Sequence, residues 1–244
     1  MKHLISAFQF LTILPLGKPQ ELDASKTTPC FPIVGLGIGL IIMLADYLFL
    51  KLWPVGIASL LDILLLAILS GGLHLDGLGD AADGLFSHKL PERVLAIMRD
   101  SRIGAMGLLA IVFVLAIKWA SLQAVAYHRA IYLLTIPAYS RGAMMFGIKF
   151  LSYGRPEGGV GTDFFSRKPP LVALTSILLP ALISLWLGYP ALWLNALFVL
   201  LTALILLYFK RRLGCITGDM LGAMAEVEEA CLFLIACASF PIFS

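Results

Sequence analysis

Asp76, Asp80 and Asp83 lie in the stretch Gly71-Gly-Leu-His-Leu-Asp-Gly-Leu-Gly-Asp-Ala-Ala-Asp-Gly-Leu-Phe-Ser87 at a spacing of i, i+4 and i+7. On a helix these positions fall at about 0°, 40° and −20°, so three carboxylates share one face. The outer pair is about 10 Å apart along the axis, too far to ligate one ion together. Asp80 stands about 6 Å from Asp76 and about 4.5 Å from Asp83. That layout suits two closely spaced divalent ions, or one ion and a free carboxylate acting as a base. All-oxygen donors favour Mg²⁺ or Mn²⁺ over zinc. His74 lies about 200° round the helix from Asp76, which makes it a hydrogen-bonding neighbour of the acids and not a zinc ligand. Gly77, Gly79 and Gly84, interleaved with the acids, let a bulky ligand or a neighbouring helix approach the backbone.

Two further polar groups lie downstream. Ile97-Met-Arg-Asp-Ser-Arg-Ile-Gly-Ala-Met-Gly107 carries Arg99 and Arg102 around Asp100 and Ser101. Two guanidiniums three residues apart, followed by Gly104, can hold phosphate oxygens at a helix start, where free N–H groups also point at the anion. Thr217-Gly-Asp-Met-Leu-Gly-Ala-Met-Ala-Glu-Val-Glu-Glu229 opens the last apolar stretch. Relative to Asp219, Glu226 lies at about −20°, Glu229 at about −80° and Glu228 at about 180°. Asp219 and Glu226 therefore can face one site, and Glu228 should point elsewhere.

The elements that must hold these groups are membrane helices. Of 244 residues, 60% are hydrophobic and 14% charged, with a mean hydropathy of +0.94, far from a soluble domain. Windows long enough to cross the hydrocarbon fall at about 32–50, 57–75, 105–126, 130–149, 171–188, 190–209 and 220–241. The expected fold is all-α: one polytopic integral membrane helical bundle over residues 1–244, with about seven transmembrane helices. Residues 1–16 are closed by Pro15 too early for a span, and form an N-terminal interfacial or re-entrant helix. Asp46, Asp62, Lys118 and Arg141 interrupt four windows, so each should turn toward the bundle, an interface or water. Cys30, Cys215, Cys231 and Cys237 form no C-x-x-C pair and read as reduced packing residues.

Loop charge sets an expected orientation. Alternate connections carry Lys2, Lys18 and Lys26; Lys89, Arg93, Arg99 and Arg102; Lys149, Arg155, Arg167 and Lys168; and Lys210, Arg211 and Arg212, which is fourteen of the 18 basic residues. The opposite connections hold Lys51 and Arg129. The positive-inside rule then assigns the N-terminus and the three-aspartate segment to the cytoplasmic face. The net charge of +3, scattered between apolar runs, excludes a continuous nucleic-acid-binding face.

Together these blocks resemble the cobalamin synthase (adenosylcobinamide-GDP ribazoletransferase) family. The resemblance rests on Phe10-Leu-Thr-Ile-Leu-Pro15, Gly71 to Leu78 with Ala82-Asp-Gly84, Arg99-Asp-Ser-Arg-Ile-Gly104, Ser140-Arg141 and Thr217-Gly-Asp with the acids after it. It implies an integral enzyme of a bacterial inner membrane that uses Mg²⁺ to join adenosylcobinamide-GDP to α-ribazole or its 5′-phosphate, releasing GMP. Carried onto this chain, it implies Asp76, Asp80 and Asp219 as metal ligands and Asp83 or Glu226 as base. Substrate would be bound by His74, Arg99, Ser101, Arg102 and Arg141. The expected partners are these two small molecules and membrane lipid. The oligomeric state stays open, a homo-oligomer included. The 150–170 connection, with Tyr153, Arg155, Glu157, Gly158, Gly159, Asp163 and Arg167, is a place where the corrinoid could be covered.

Two alternatives share parts of the pattern. A CDP-alcohol phosphotransferase also uses membrane carboxylates and Mg²⁺, and Asp80 to Gly84 gives its D-x-x-D-G element. The sequence continues Leu85-Phe-Ser-His, without that family's G-x-x-A-R, and no second D-x-x-x-D pair follows Asp219. An ion-coupled transporter would need paired interrupted segments in two halves, and the sequence has none.

Overall fold

The computed structural model describes residues 2–18, 23–155 and 162–238. The chain runs through α1 (Lys2–Leu11), α2 (Ala24–Thr27), α3 (Phe31–Leu52), α4 (Val55–Leu69), α5 (Leu73–Leu85), α6 (Pro91–Ile97), α7 (Ala105–Ala124) and α8 (Arg129–Phe150). It continues with β1 (Ser152–Tyr153), α9 (Thr162–Ser166), α10 (Leu178–Ser184), α11 (Pro190–Arg212), β2 (Cys215–Ile216) and α12 (Gly218–Ala236). The fold is an all-α membrane bundle, and its only described sheet is the two-residue parallel pairing of β1 with β2.

Each of the seven windows contains helix, in different forms. The helix from Ala24 to Leu52, α7 and α11 are each long and apolar enough to cross a membrane, and α4 with α5 forms a fourth, bent by 87°. Their outward faces carry Leu44, Leu48, Phe113, Leu192 and Val199, all more than half exposed, the surface that lipid covers. α8 and α12 have the length but lie largely inside the bundle. The 171–188 window is interrupted, with 3₁₀ turns at Leu171–Ile177 and Leu185–Leu187 flanking α10. α1, ten residues long, packs on α3, and the chain beyond it is tied to α4 where the Ile13 N–H donates to the Leu69 carbonyl at 2.9 Å.

The bundle is built around α3 against α8. A Cβ at Gly35 or Gly39 would collide with the α8 backbone at Pro137, Ala138 and Leu134, so small residues permit the close crossing that membrane helices use in place of hydrophobic collapse. All four ionisable residues that interrupt the windows turn inward. Arg129 pairs with Asp46 at 2.9 Å and with Asp62 at 2.7 Å. Lys118 pairs with Glu226 at 2.6 Å and Glu229 at 2.5 Å, and Arg141 with Glu229. Pairing of this kind offsets the large cost of holding charge in a low-dielectric interior. The four cysteines are free thiols.

One break decides where the acids go. Gly71 and Gly72 sit at φ +63° and +70°, a left-handed conformation that glycine adopts without a Cβ penalty. The 57–75 window therefore ends as helix at Leu69, and the chain turns through 87° into α5. The three aspartates ride on a separate helix of 13 residues. Between α5 and α7 the chain forms the short helix α6, which packs back on α5.

Candidate active site

α5 lies directly on α12. A Cβ added at Gly77 would stand 2.8 Å from the Asp219 carbonyl oxygen and 2.9 Å from its Cα, and one at Gly222 would stand 3.1 Å from His74 Cα. These two glycines bring the second acidic segment against the first. Thr217 caps α12, its hydroxyl accepting from the Met220 N–H at 3.3 Å. Asp219 follows in the first turn, where the helix dipole favours a carboxylate.

Arg155 completes the group. The β1–β2 pairing sets Ser152 beside Cys215 and Tyr153 beside Ile216, and the Gly154 N–H donates to the Ile216 carbonyl at 2.9 Å. The next side chain is thereby carried onto Asp219, with which the Arg155 guanidinium is ion-paired. It also donates to the Met98 carbonyl at 3.2 Å. Asp80, half-buried, feels repulsion from Asp219, Asp76 and Asp83 and attraction from Arg155. Asp76 is exposed. A cavity of about 200 Å³ opens against this group, lined by Asp76, Asp219, Arg155 and His74 on one side and by Phe10, Phe164 and Met144 on another.

Asp83 lies apart from that cavity. Its carboxylate accepts the Gly104 N–H at 2.6 Å and the Gly107 N–H at 2.9 Å, closing the N-terminus of α7. A Cβ at Gly107 would meet the Asp83 carboxylate at 2.5 Å, so glycine in the Arg-Ile-Gly-Ala-Met-Gly stretch makes room for the capping carboxylate. The geometry gives Asp83 a capping role in place of the proton-removing role its spacing allowed. It also fills the helix start that Gly104 was expected to offer to phosphate. Asp83→Asn should therefore lower stability by about 1–2 kcal/mol, as other cap losses do, and keep turnover within about threefold. A loss of about a hundredfold or more, typical of a missing general base, would return Asp83 to the chemistry.

Glu226 also differs from its expected role. It is 4% exposed and bound to Lys118 inside the bundle. Arg141, fully buried, is bound to Glu229, whose carboxylate also accepts from Ser140 at 2.9 Å. Glu226 and Arg141 are thus members of one interior charge network and neither lines the cavity. Helical angle had aligned Glu226 with Asp219, but two turns of α12 carry it from the cavity end into the core. Glu228 points away as its angle required, accepting from the Thr202 hydroxyl of α11 at 2.8 Å.

The segment between α6 and α7 is exposed at Arg99, Ser101 and Arg102. Arg102 turns back onto Asp100 at 2.6 Å, and this hydrogen-bonded guanidinium holds the Asp100 carboxyl down at about 2. The Arg155 bond to Met98 and the Asp83 bond to Gly104 anchor the two ends of this segment beside the acids. Of the 150–170 residues considered for covering a corrinoid, Glu157, Gly158, Gly159 and the Asp163 side chain lie outside the described residues.

Comparison with known proteins decides the family. A family model described as cobalamin-5-phosphate synthase matches residues 3–237. The chain belongs to that family. A protein of Desulfitobacterium hafniense named adenosylcobinamide-GDP ribazoletransferase is 37% identical over 99% of this chain and 98% of its own length. Proteins of the same name from Geotalea daltonii and Clostridium acetobutylicum are 36% and 35% identical, covering 91% and 93% of this chain and 92% of each relative. No solved structure matches.

The donor set can be tested against the Mg²⁺ that the family resemblance implies. Among the described residues no three His, Cys, Asp or Glu side chains converge into a closed cage. Mg²⁺ seldom asks for one: it takes one or two carboxylates and fills its octahedron with water and substrate phosphate oxygens. Asp76, which lines the cavity, and Asp80, one turn further along α5 and outside that lining, supply carboxylates of this number. Burial of Asp80 and its repulsion by Asp219, Asp76 and Asp83, opposed by Arg155, are a load that a bound cation relieves. Arg155, expected only in a connection that could cover the corrinoid, is brought to the acids by two doublets whose paired residues are 63 positions apart.

Proposed function

We propose that the chain is a Mg²⁺-dependent phosphotransferase of the inner membrane that joins adenosylcobinamide-GDP to α-ribazole or its 5′-phosphate and releases GMP. The names of the relatives that match along nearly their whole length support the substrate pair. The observation that carries the chemistry is the cavity at which Asp76 of α5 meets the Asp219–Arg155 pair, with Asp80 in electrostatic reach of all three. A ribose hydroxyl attacks the cobinamide-side phosphorus of the diphosphate. One P–O bond forms, the P–O bond to GMP breaks, and the hydroxyl proton passes to a carboxylate.

Phosphoryl transfer asks little covalent chemistry of a protein and much positioning and charge neutralisation. Asp76 and Asp80 would hold the ion, which would supply positive charge against the diphosphate. Arg155 offers a planar fork to the phosphate that leaves. Asp219, which the resemblance offered as a metal ligand, lines the cavity beside Arg155 and in this reading takes the hydroxyl proton instead, because neither Asp83 nor Glu226 lines that cavity. Arg99, Ser101 and Arg102, exposed on the α6–α7 segment that Arg155 and Asp83 anchor at its two ends, meet the phosphate on the guanosine side. Under the positive-inside rule this end of the bundle faces the cytoplasm, where nucleotide-activated substrate is met.

The test is product formation by purified protein in detergent or vesicles. With adenosylcobinamide-GDP, α-ribazole and Mg²⁺, GMP and a complete cobamide should appear one for one. Release of CMP from a CDP-alcohol would assign the lipid-enzyme reaction instead, and substrate uptake into sealed vesicles without product would assign transport.

A further inference from the structure

The cavity beside the acids holds about 200 Å³, below the roughly 300–1,000 Å³ that encloses a whole drug-sized ligand. It accommodates one ring system, not a dinucleotide. Its walls divide by chemistry. Phe10 and Phe164, with ring centroids 4.4 Å apart, and Met144 and Ile148 supply apolar surface. Asp76 and Asp219 supply the polar end.

His74 stands in the same wall, 1% exposed, and neither of its ring nitrogens has a hydrogen-bond partner. A buried imidazole left unpaired is costly, and nearly all such groups in folded proteins are satisfied by protein, water or ligand. A neutral imidazole has one N–H donor and one acceptor nitrogen. A benzimidazole nucleoside has one unsubstituted ring nitrogen, an acceptor.

We propose, on the reading that α-ribazole is a substrate, that this cavity is the subsite for the lower-ligand base. The fused ring lies against Phe10, Phe164 and Met144. Its free nitrogen accepts the His74 N–H, and the ribose projects toward Asp76 and Asp219, which delivers a hydroxyl to the carboxylates. The same walls discriminate among bases. A purine brings additional ring nitrogens or an exocyclic amine, and where these meet Phe10, Phe164, Met144 and Ile148 they find no partner, the Tyr153 hydroxyl and Arg155 being the further polar groups of the lining; that mismatch disfavours binding.

Steady-state kinetics of the full-length protein test this. His74→Leu should raise KM for α-ribazole at least about tenfold while KM for adenosylcobinamide-GDP stays within about twofold. His74→Gln, which keeps an N–H donor, should recover most of the loss. Phe164→Ala, independent of the helix that carries the acids, should reduce the preference for the benzimidazole nucleoside over the adenine nucleoside by about tenfold. GMP release by the wild type with an unchanged α-ribazole KM in His74→Leu overturns the subsite alone. If that variant does not fold, an unchanged base preference in Phe164→Ala overturns it. Absence of GMP release by the wild type overturns the reaction reading and the subsite with it.

Discussion

Asp76→Asn and Asp80→Asn should each reduce kcat for GMP release by about a hundred- to a thousandfold, the scale on which losing one preorganised electrostatic partner of a transition state is felt. The amide keeps the volume and one oxygen and removes the charge. Neither side chain is needed for the α5–α12 crossing, which rests on Gly77 and Gly222. Relief of repulsion around Asp80 should leave the folded protein as stable as the wild type or more so. The defect should also appear in the metal dependence, with half-saturating Mg²⁺ displaced upward. Thermal unfolding beside a Mg²⁺ titration of turnover checks both halves. Unaltered turnover and Mg²⁺ dependence in stably folded Asp76→Asn and Asp80→Asn would remove the α5 face from the chemistry.

Arg155→Ala carries the second large effect, a loss of about a thousandfold in kcat/KM, comparable to that of an arginine supplied to a phosphoryl-transfer transition state. Arg155 is the guanidinium ion-paired to Asp219 and acting on Asp80. Its removal takes away the phosphate fork and the partner of a half-buried carboxylate together. Arg155→Lys restores the charge without the planar pair of donors, so it should recover only part of the loss. Arg102→Ala is the useful contrast: its side chain is 86% exposed and turned onto Asp100, and its loss should act mainly on KM for adenosylcobinamide-GDP. Kinetics for both substrates in the three variants make the comparison. Equal effects of Arg155→Ala and Arg102→Ala would contradict the assignment of Arg155 to the centre.

Much of the architecture was legible because it follows from local rules. Apolar windows located the helices, and the i, i+4, i+7 spacing correctly put Asp76, Asp80 and Asp83 on one helix. The inward turning of Asp46, Asp62, Lys118 and Arg141 followed from the cost of bare charge in lipid. Periodicity could not say how far along a helix a shared face stays in one environment. Asp219 and Glu226 have similar angles, yet one opens on the cavity and the other is locked to Lys118 in the core. Nor could spacing show that Asp83 spends its carboxylate on the start of another helix, a contact between residues 21 and 24 positions apart. The position of Arg155 beside the acids was hidden for a related reason, since two-residue strands leave almost no periodic signal. The 57–75 window ran straight through Gly71-Gly72, and the 87° break found there goes with the packing of α5 against α12 and α7.

The most direct measurement of the central claim is Mn²⁺ binding, followed by electron paramagnetic resonance on the full-length protein with and without adenosylcobinamide-GDP. The α5 carboxylates supply part of the ion's shell and substrate phosphate another part. Wild-type protein should therefore bind Mn²⁺ more tightly when the diphosphate substrate is present, and Asp76→Asn and Asp80→Asn should each weaken that binding by about tenfold or more. Equal Mn²⁺ affinity in the wild type and both variants, with substrate present, would contradict it.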